Sequence, residues 1–259
     1  MTALMRMRPR GKARLRLRAA LSGAVFAAAG FGSAVDVGFG SAPSSSAVIG
    51  RSVLGRSVLG RPIRLIRAGN PRAGHRVLVV GCIHGNECAG VSIARWLERH
   101  EPPPNTLLWV IENANPDGFA AGRRQNAHGV DLNRNFPWRW RTLGRPGDLH
   151  YAGTHPLSEP ESRLLSRLIV RIRPELTIWF HQPLAVVDDS GGRRLVARRY
   201  ARLVGLPFVR LPRYPGSAAG WQNHLYPNTS FVVELPAGPL TSAAAARFGD
   251  GILDLLALV

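Results

Sequence analysis

The chain has 259 residues, 45% of them hydrophobic, and a formal charge of +18. That length admits one α/β domain of ordinary size with an ample core. The charge does not make it a nucleic-acid binder. Lys12 is the only lysine, and seven basic residues (Arg6, Arg8, Arg10, Lys12, Arg14, Arg16, Arg18) precede residue 20. The others are scattered without the aromatic-interleaved basic motif of a nucleic-acid groove.

In chain order, the basic start leads into an apolar, small-residue stretch from Ala19 to about Val37, then into Gly, Ser, Ala and Pro. This is the layout of a secretory signal, with Ala34 and Ala42 as candidate cleavage positions. Residues 1–45 are therefore read as an export segment and 46–259 as the folded domain, in an extracytoplasmic protein. The apolar stretch is rich in Gly and Ala and contains Asp36, so stable membrane insertion of the mature form is not expected. Arg51–Gly60 repeats itself as RSVLG-RSVLG, a duplication too short to signal a repeat fold.

Val77–Val80 is a short apolar run that reads as a buried strand, and Gly81 and Gly85 bracket a sharp turn after it. His84 and Glu87 sit in that turn, three residues apart, where one turn can aim both side chains at one point. They supply two-thirds of a catalytic zinc site; alternatively, His84 caps the turn and Glu87 is a helix N-terminal acid. Cys82 and Cys88 flank them and are read as two buried thiols in preference to a disulfide.

Val91–His100 reads as a helix stopped by three prolines, Thr106–Ile111 as a strand, and Asn113–Gly118 as a loop. Phe119–Gly153 has little periodicity, and a long irregular segment in a compact domain tends to be functional. Ser158 with Glu161 predicts a capping box on a helix that runs to about Arg173. Glu175–Phe180 is a strand ending at His181. Gly192–Val204 is a helix, Leu206–Leu211 and Ser230–Val233 are strands, and Thr241–Leu258 is a closing helix. Strands alternating with helices predict a single α/β domain, its mixed, largely parallel sheet covered on both faces. His84, His181 and Glu234 each follow an apolar strand, at the end of the sheet where such folds bind ligands.

The motifs HGNE (His84–Glu87), NPDG (Asn115–Gly118) and R-x-N-x-x-GVDLNRNFP (Arg124–Pro137) occur in order. SEPE (Ser158–Glu161), FHQPL (Phe180–Leu184), YPGS (Tyr214–Ser217) and VELP (Val233–Pro236) follow. In these the chain, from about Gly50 to Leu258, resembles the zinc carboxypeptidases of the carboxypeptidase A type, and among them the bacterial murein peptide amidases. The resemblance implies that fold and one Zn²⁺ held by His84, Glu87 and His181. It further implies Glu234 as general acid/base and Arg124 as the cation that steadies the oxyanion. Asn133 and Arg134 would grip a terminal carboxylate. Tyr214 would be the substrate-facing tyrosine, with Tyr226 as runner-up.

The chemistry agrees. Peptide hydrolysis needs an activated water, a carboxylate to carry a proton, and a fixed cation for the growing oxyanion. The expected substrate is a peptide or isopeptide bond next to a free carboxylate, in murein stem peptides. A deacylase of N-acyl amino acids and an inactive wall-binding homologue are the competing expectations. Two positions depart from the relatives: Asn86, where digestive carboxypeptidases carry arginine, and Gln182, where murein amidases carry Asp. Both bear on substrate choice.

Overall fold

The computed structural model describes residues 48–189, 192–227 and 229–258. The expected export segment therefore lies outside the described residues. Everything below concerns the unit that begins at Ser44.

Eight strands form one sheet. They are β1 (Val48–Arg56), β2 (Pro62–Gly69), β3 (His75–Val80), β4 (Thr106–Ile111), β5 (Leu176–His181), β6 (Leu184–Asp188), β7 (Phe208–Val209) and β8 (Ser230–Pro236). Their order is β1-β2-β4-β3-β5-β8-β6-β7. The four central strands β4, β3, β5 and β8 are mutually parallel. Antiparallel pairs β1/β2, β2/β4 and β6/β8 flank them, so the sheet is mixed, as the alternation of elements predicts.

Alternate residues of each central strand face opposite sides. Val77, Val79, Ile178 and Phe180 enter one apolar cluster, and Leu78, Val80 and Trp179 enter the other. Helices α1 (Gly90–Leu97), α4 (Arg194–Val204) and α6 (Ser242–Leu256) cover the first face, through Trp96, Tyr200 and Phe248 among others. Helices α3 (Pro160–Ile172) and α5 (Ala218–Leu225) cover the second, through Leu165, Ile169 and Trp221. The short α2 spans Pro116–Ala120. No helix among the described residues is long and apolar enough to cross a membrane.

Several local expectations are corrected. The NPDG stretch is not a plain loop: Asn115 caps α2 by accepting a hydrogen bond from Gly118 N (2.9 Å), and Pro116 occupies the first helical turn. The capping box at Ser158 does not form, because Glu161 turns inward and is fully buried. Its carboxylate accepts from Val58 N (3.0 Å) and Asn126 Nδ2 (3.1 Å), and Glu159 takes the cap position of α3. Long-range bonds to the first hairpin outcompete the local cap. Strands β1, β2 and β6 and helix α5 add to the elements predicted.

The duplicated RSVLG adopts two structures. Its first copy lies in β1, while the second forms the turn into β2. There Ser57 Oγ and Leu59 N donate to the carboxylate of Asp117 (both 2.9 Å).

Cys82 and Cys88 are joined as a disulfide, which corrects the expectation of two thiols. The reversal of the chain between Gly81 and Gly90 brings their Cα atoms to 4.8 Å, within bridging reach. The enclosed turn is tightly packed. A Cβ on Gly85 would collide with the backbone of Gly118 and Phe119 and with the carbonyl of Arg123. A glycine there lets the HGNE turn lie directly on the NPDG segment.

Every element among the described residues falls between Val48 and Leu256, and a chain lacking residues 1–45 is expected to fold. Circular dichroism and a cooperative thermal transition check this; loss of structure would assign the segment to the domain.

Candidate active site

The C-terminal ends of β3, β5 and β8 lie side by side, and each delivers one expected residue. Glu234 in β8 is the register partner of His181 in β5. His84 lies four residues beyond β3, in the turn that leads to α1. The irregular segment between α2 and α3 folds over this edge of the sheet and supplies Arg124, Asp131, Asn133 and Arg134. A single 3₁₀ turn, Leu132–Arg134, sets the last two. The loop ahead of α5 contributes Tyr214. All eight residues singled out in the sequence line one cleft of about 860 Å³.

At its base, three ligand-type atoms converge. His84 Nδ1 is 2.8 Å from Glu87 Oε2, His181 Nδ1 is 3.2 Å from the same oxygen, and the two Nδ1 atoms are 3.1 Å apart. Ligands ~2.0–2.1 Å from a tetrahedral centre stand about 3.3 Å from one another. The triangle is therefore close to the size a zinc ion needs, and two imidazole nitrogens with one carboxylate oxygen suit that ion. Burial pushes His181 down to about 4 against its hydrogen bond with Glu87, which keeps the ring in the neutral form that coordinates a metal. Burial would also depress His84, but the charge and hydrogen bond of Asp131 raise it. Glu87 would be raised by burial; hydrogen bonds from His181 and His84 instead hold it well below the usual carboxylate range.

The set is braced from behind. His84 Nε2 is 3.0 Å from Asp131 Oδ1, which fixes the ring so that Nδ1 faces Glu87. Arg124 donates from Nη1 to Glu87 Oε1 (2.5 Å) and from Nε to Asp131 Oδ2 (3.0 Å). Asn133 N donates to Asp131 Oδ1 (2.9 Å), and the Asn133 amide lies 3.5 Å from His181 Nε2. Asp131 is completely buried, and sequence reading did not give it a role. Its signal was a carboxylate inside the apolar run Val130–Leu132, where a buried charge requires partners. Gln182 was likewise undervalued: it accepts from Ala89 N (2.9 Å) and donates to the carbonyls of Pro236 (2.8 Å) and Gly238 (2.7 Å). It thereby ties the His181 strand to α1 and β8.

Two buried polar atoms in the cleft have no hydrogen-bond partner among the described residues, Arg134 Nε and Glu234 Oε2. The Arg134 guanidinium lies 4.2 Å from the centre of the Tyr214 ring, and its Nη1 donates to Asn133 O (2.8 Å). Asn133 Oδ1 accepts from Ala218 N (2.9 Å). Tyr214 is half exposed at the cleft wall, whereas Tyr226 packs against the second apolar cluster away from it. Burial, reinforced by the charge of Glu87, pushes Glu234 up to about 7.

The sequence profile of the zinc carboxypeptidases matches residues 104–187. Murein peptide amidase A of Escherichia coli K12 is 36% identical over 157 residues, which cover 56% of this chain and 64% of that protein. The match thus spans less than two-thirds of that relative's length. The crystal structure of the murein-tripeptide amidase of Escherichia coli O157 is 32% identical. It aligns over 80% of this chain and 92% of that one, with a TM-score of 0.64. The chain belongs to the zinc carboxypeptidase family. Carboxypeptidase A of Helicoverpa armigera shares the fold at 20% identity, over 82% of this chain and 68% of that one, with a TM-score of 0.71.

Two outcomes follow from the geometry. Asp131→Asn keeps the shape but weakens the brace on His84, and zinc affinity is expected to fall ~10–100-fold. His181→Ala removes a donor and is expected to leave the purified protein without stoichiometric zinc. Metal analysis with a competing chelator reads both, and unchanged affinity in either would reject the assignment.

In the metal-free protein Glu234 keeps its proton to a higher pH when folded than the ordinary value of 4.5 at which an unfolded chain releases it. The folded state then binds more protons across that window, so the carboxyl's cost to stability grows as pH rises and levels off above about 7. Denaturant titrations of the metal-free proteins should show Glu234→Gln gaining stability over wild type between pH 5 and pH 8. A gap independent of pH would mean the carboxyl is not perturbed.

Proposed function

We propose that the chain is an exported zinc-dependent hydrolase that cuts a peptide or isopeptide bond next to a free carboxylate, in murein stem peptides. The observation that carries this reading is one cleft in which the His84–Glu87–His181 set adjoins two buried, unpartnered groups of opposite kind, Glu234 Oε2 and Arg134 Nε. The names of the aligned Escherichia coli amidases support the murein assignment, and the basic and apolar start of the sequence supports export.

Zinc held by His84, Glu87 and His181 supplies Lewis acidity at the scissile carbonyl and makes water a competent nucleophile near neutral pH. The remaining work falls to the chain's own side chains. Glu234 receives the proton from the attacking water and returns it to the leaving nitrogen, so the carboxylate is regenerated each turnover. Burial raises its pKa and a neighbouring Zn²⁺ would lower it again, and a group held between these opposing effects can both accept and return the proton. Arg124, with Nη1 and Nε engaged by Glu87 and Asp131, keeps Nη2 to stabilise the charge that grows on the carbonyl oxygen.

Arg134 and Asn133 hold the carboxylate of the departing residue. A guanidinium suits that acceptor, and the buried Nε gains a partner it otherwise lacks. Tyr214, stacked on Arg134, covers the bound carboxylate from the solvent side.

Glu234→Gln is expected to lower kcat by ~10²–10⁴-fold or more, with zinc content and substrate affinity little changed. The assay is hydrolysis of a murein tripeptide, run beside a C-terminal peptide reporter and an N-acyl amino acid. Activity on the acyl amino acid alone would favour the deacylase alternative. Loss of zinc in Glu234→Gln would make it a ligand instead.

A further inference from the structure

The turn that carries His84 and Glu87 is closed on itself by a covalent bond. Cys82 and Cys88 are joined six residues apart, and both metal-type residues lie between them. Each cysteine is also anchored through its carbonyl. Cys82 O accepts from Ala114 N (2.8 Å), beyond β4, and Cys88 O accepts from Val91 N (3.1 Å), in α1. The disulfide therefore ties the segment after β3 to the start of α1 at the base of the turn. The two residues inside it are held unequally. His84 is buried, and Asp131 grips its ring from behind. Glu87 is partly buried, directly precedes Cys88, and is held through its carboxylate by Arg124, His84 and His181.

The two sulfurs also differ in access. Cys82 is completely buried. Cys88 is partly exposed and lines a second pocket with Asn86, Phe119 and Gly238, which shares Glu87 and Gln182 with the cleft.

We propose that the Cys82–Cys88 disulfide is a redox-sensitive latch on the zinc turn. Closed, it holds Glu87 at coordinating distance from the two imidazoles; opened by a dithiol, it frees Glu87 to move and weakens the hold on zinc. This rests on the zinc reading of the cleft. A thiolate of the dithiol reaches the exposed Cys88 sulfur, a new S–S bond forms there, and Cys82 departs as a thiolate that takes up a proton. The second thiol then attacks the dithiol's own sulfur in that mixed bond and releases Cys88. One dithiol is oxidised to a cyclic disulfide, and two protein thiols are formed. A ligand that must be ordered as the metal arrives binds it less tightly than one already in place. His84 keeps its brace on Asp131 and His181 keeps its strand, so the loss falls on Glu87.

The test uses the full chain loaded with zinc and a competing chromophoric chelator. Wild type is measured oxidised, again after reduction by dithiothreitol and its removal without oxygen, and once more after reoxidation. Loss of a support behind a metal ligand predicts that reduction raises the zinc Kd ~10–100-fold, and reoxidation should restore it. The Cys82→Ala/Cys88→Ala variant should match reduced wild type and ignore dithiothreitol. Circular dichroism should show the fold intact in both.

Reduced wild type that binds zinc as tightly as the oxidised protein, or more tightly, would overturn the latch and leave the zinc reading standing. Two free thiols in the protein purified under air would do the same. So would loss of the cooperative thermal transition on reduction, because the bond would then hold the fold and not the turn. An oxidised protein that binds no zinc sinks both readings. Should the double variant fail to fold, the reversible reduction of wild type decides by itself.

Discussion

The carboxylate of Glu87 is the contact on which the site depends, because its two oxygens are divided between opposite kinds of partner. Oε1 is taken by the Arg124 guanidinium, and this turns Oε2 toward the two imidazoles. An unpaired carboxylate at that depth would cost several kcal/mol, so the arginine is part of the scaffold as well as a candidate catalytic group. Asp131 repeats the division from the other side, with one oxygen on His84 and the other on Arg124. The two acids and the arginine close a loop of charge-assisted bonds in which His84 is held from both ring nitrogens. Removing any one member leaves the others buried without their partner, and such networks fail cooperatively.

That network can be built only because the central strands end in register. His181 and Glu234 are direct neighbours across the parallel β5/β8 pair, and Val80 of β3 pairs with Trp179 two residues before His181. Side chains alternate faces along a strand, so a slip of one residue in β5 would send His181 and Trp179 together to the wrong side and put Phe180 or Gln182 where His181 stands. The apolar layers prevent it. Trp179 is buried in one cluster, while Ile178 and Phe180 are buried in the other, and a slip would exchange them. The packing of the core is therefore what places the polar residues at its rim.

The parts legible in the sequence are those where composition and position agree. Val77–Val80, Thr106–Ile111 and the run before His181 carry enough apolar residues to be strands whatever surrounds them, and His84 and His181 come within four residues of the first and last of these. The residue types at His84, Glu87, His181 and Glu234 then suffice to suggest a metal centre. What escaped prediction depends on partners distant in sequence. Glu161 offered a local cap and went instead to Val58 and Asn126, 103 and 35 residues away. The second RSVLG copy has the same local propensity as the first but turns because Asp117, in α2, captures Ser57 and Leu59. Asp131 looked like one polar residue in a turn; its importance comes from enclosure by His84 and Arg124. The cysteines could not be settled from spacing alone, since the chain reversal that brings them together is itself a product of packing at Gly85.

Four buried side-chain atoms among the described residues are at odds with the rule that buried polar groups are paired, and two of them, on Arg134 and Glu234, belong to the lining of the cleft. A buried donor or acceptor left unsatisfied costs about 1–3 kcal/mol, so Arg134 Nε and Glu234 Oε2 represent stability the fold forgoes. A carboxylate brought to Arg134 relieves the first penalty as soon as substrate binds, which strengthens binding of ground state and transition state alike. In the proposed reaction the second is relieved only when a proton arrives at Glu234, as the water attacks. Relief that comes late in the reaction lowers the barrier, whereas relief on binding does not by itself do so. Under the proposed function, the division between a clamp that selects and an acid that catalyses thus follows from which buried group is satisfied by which event.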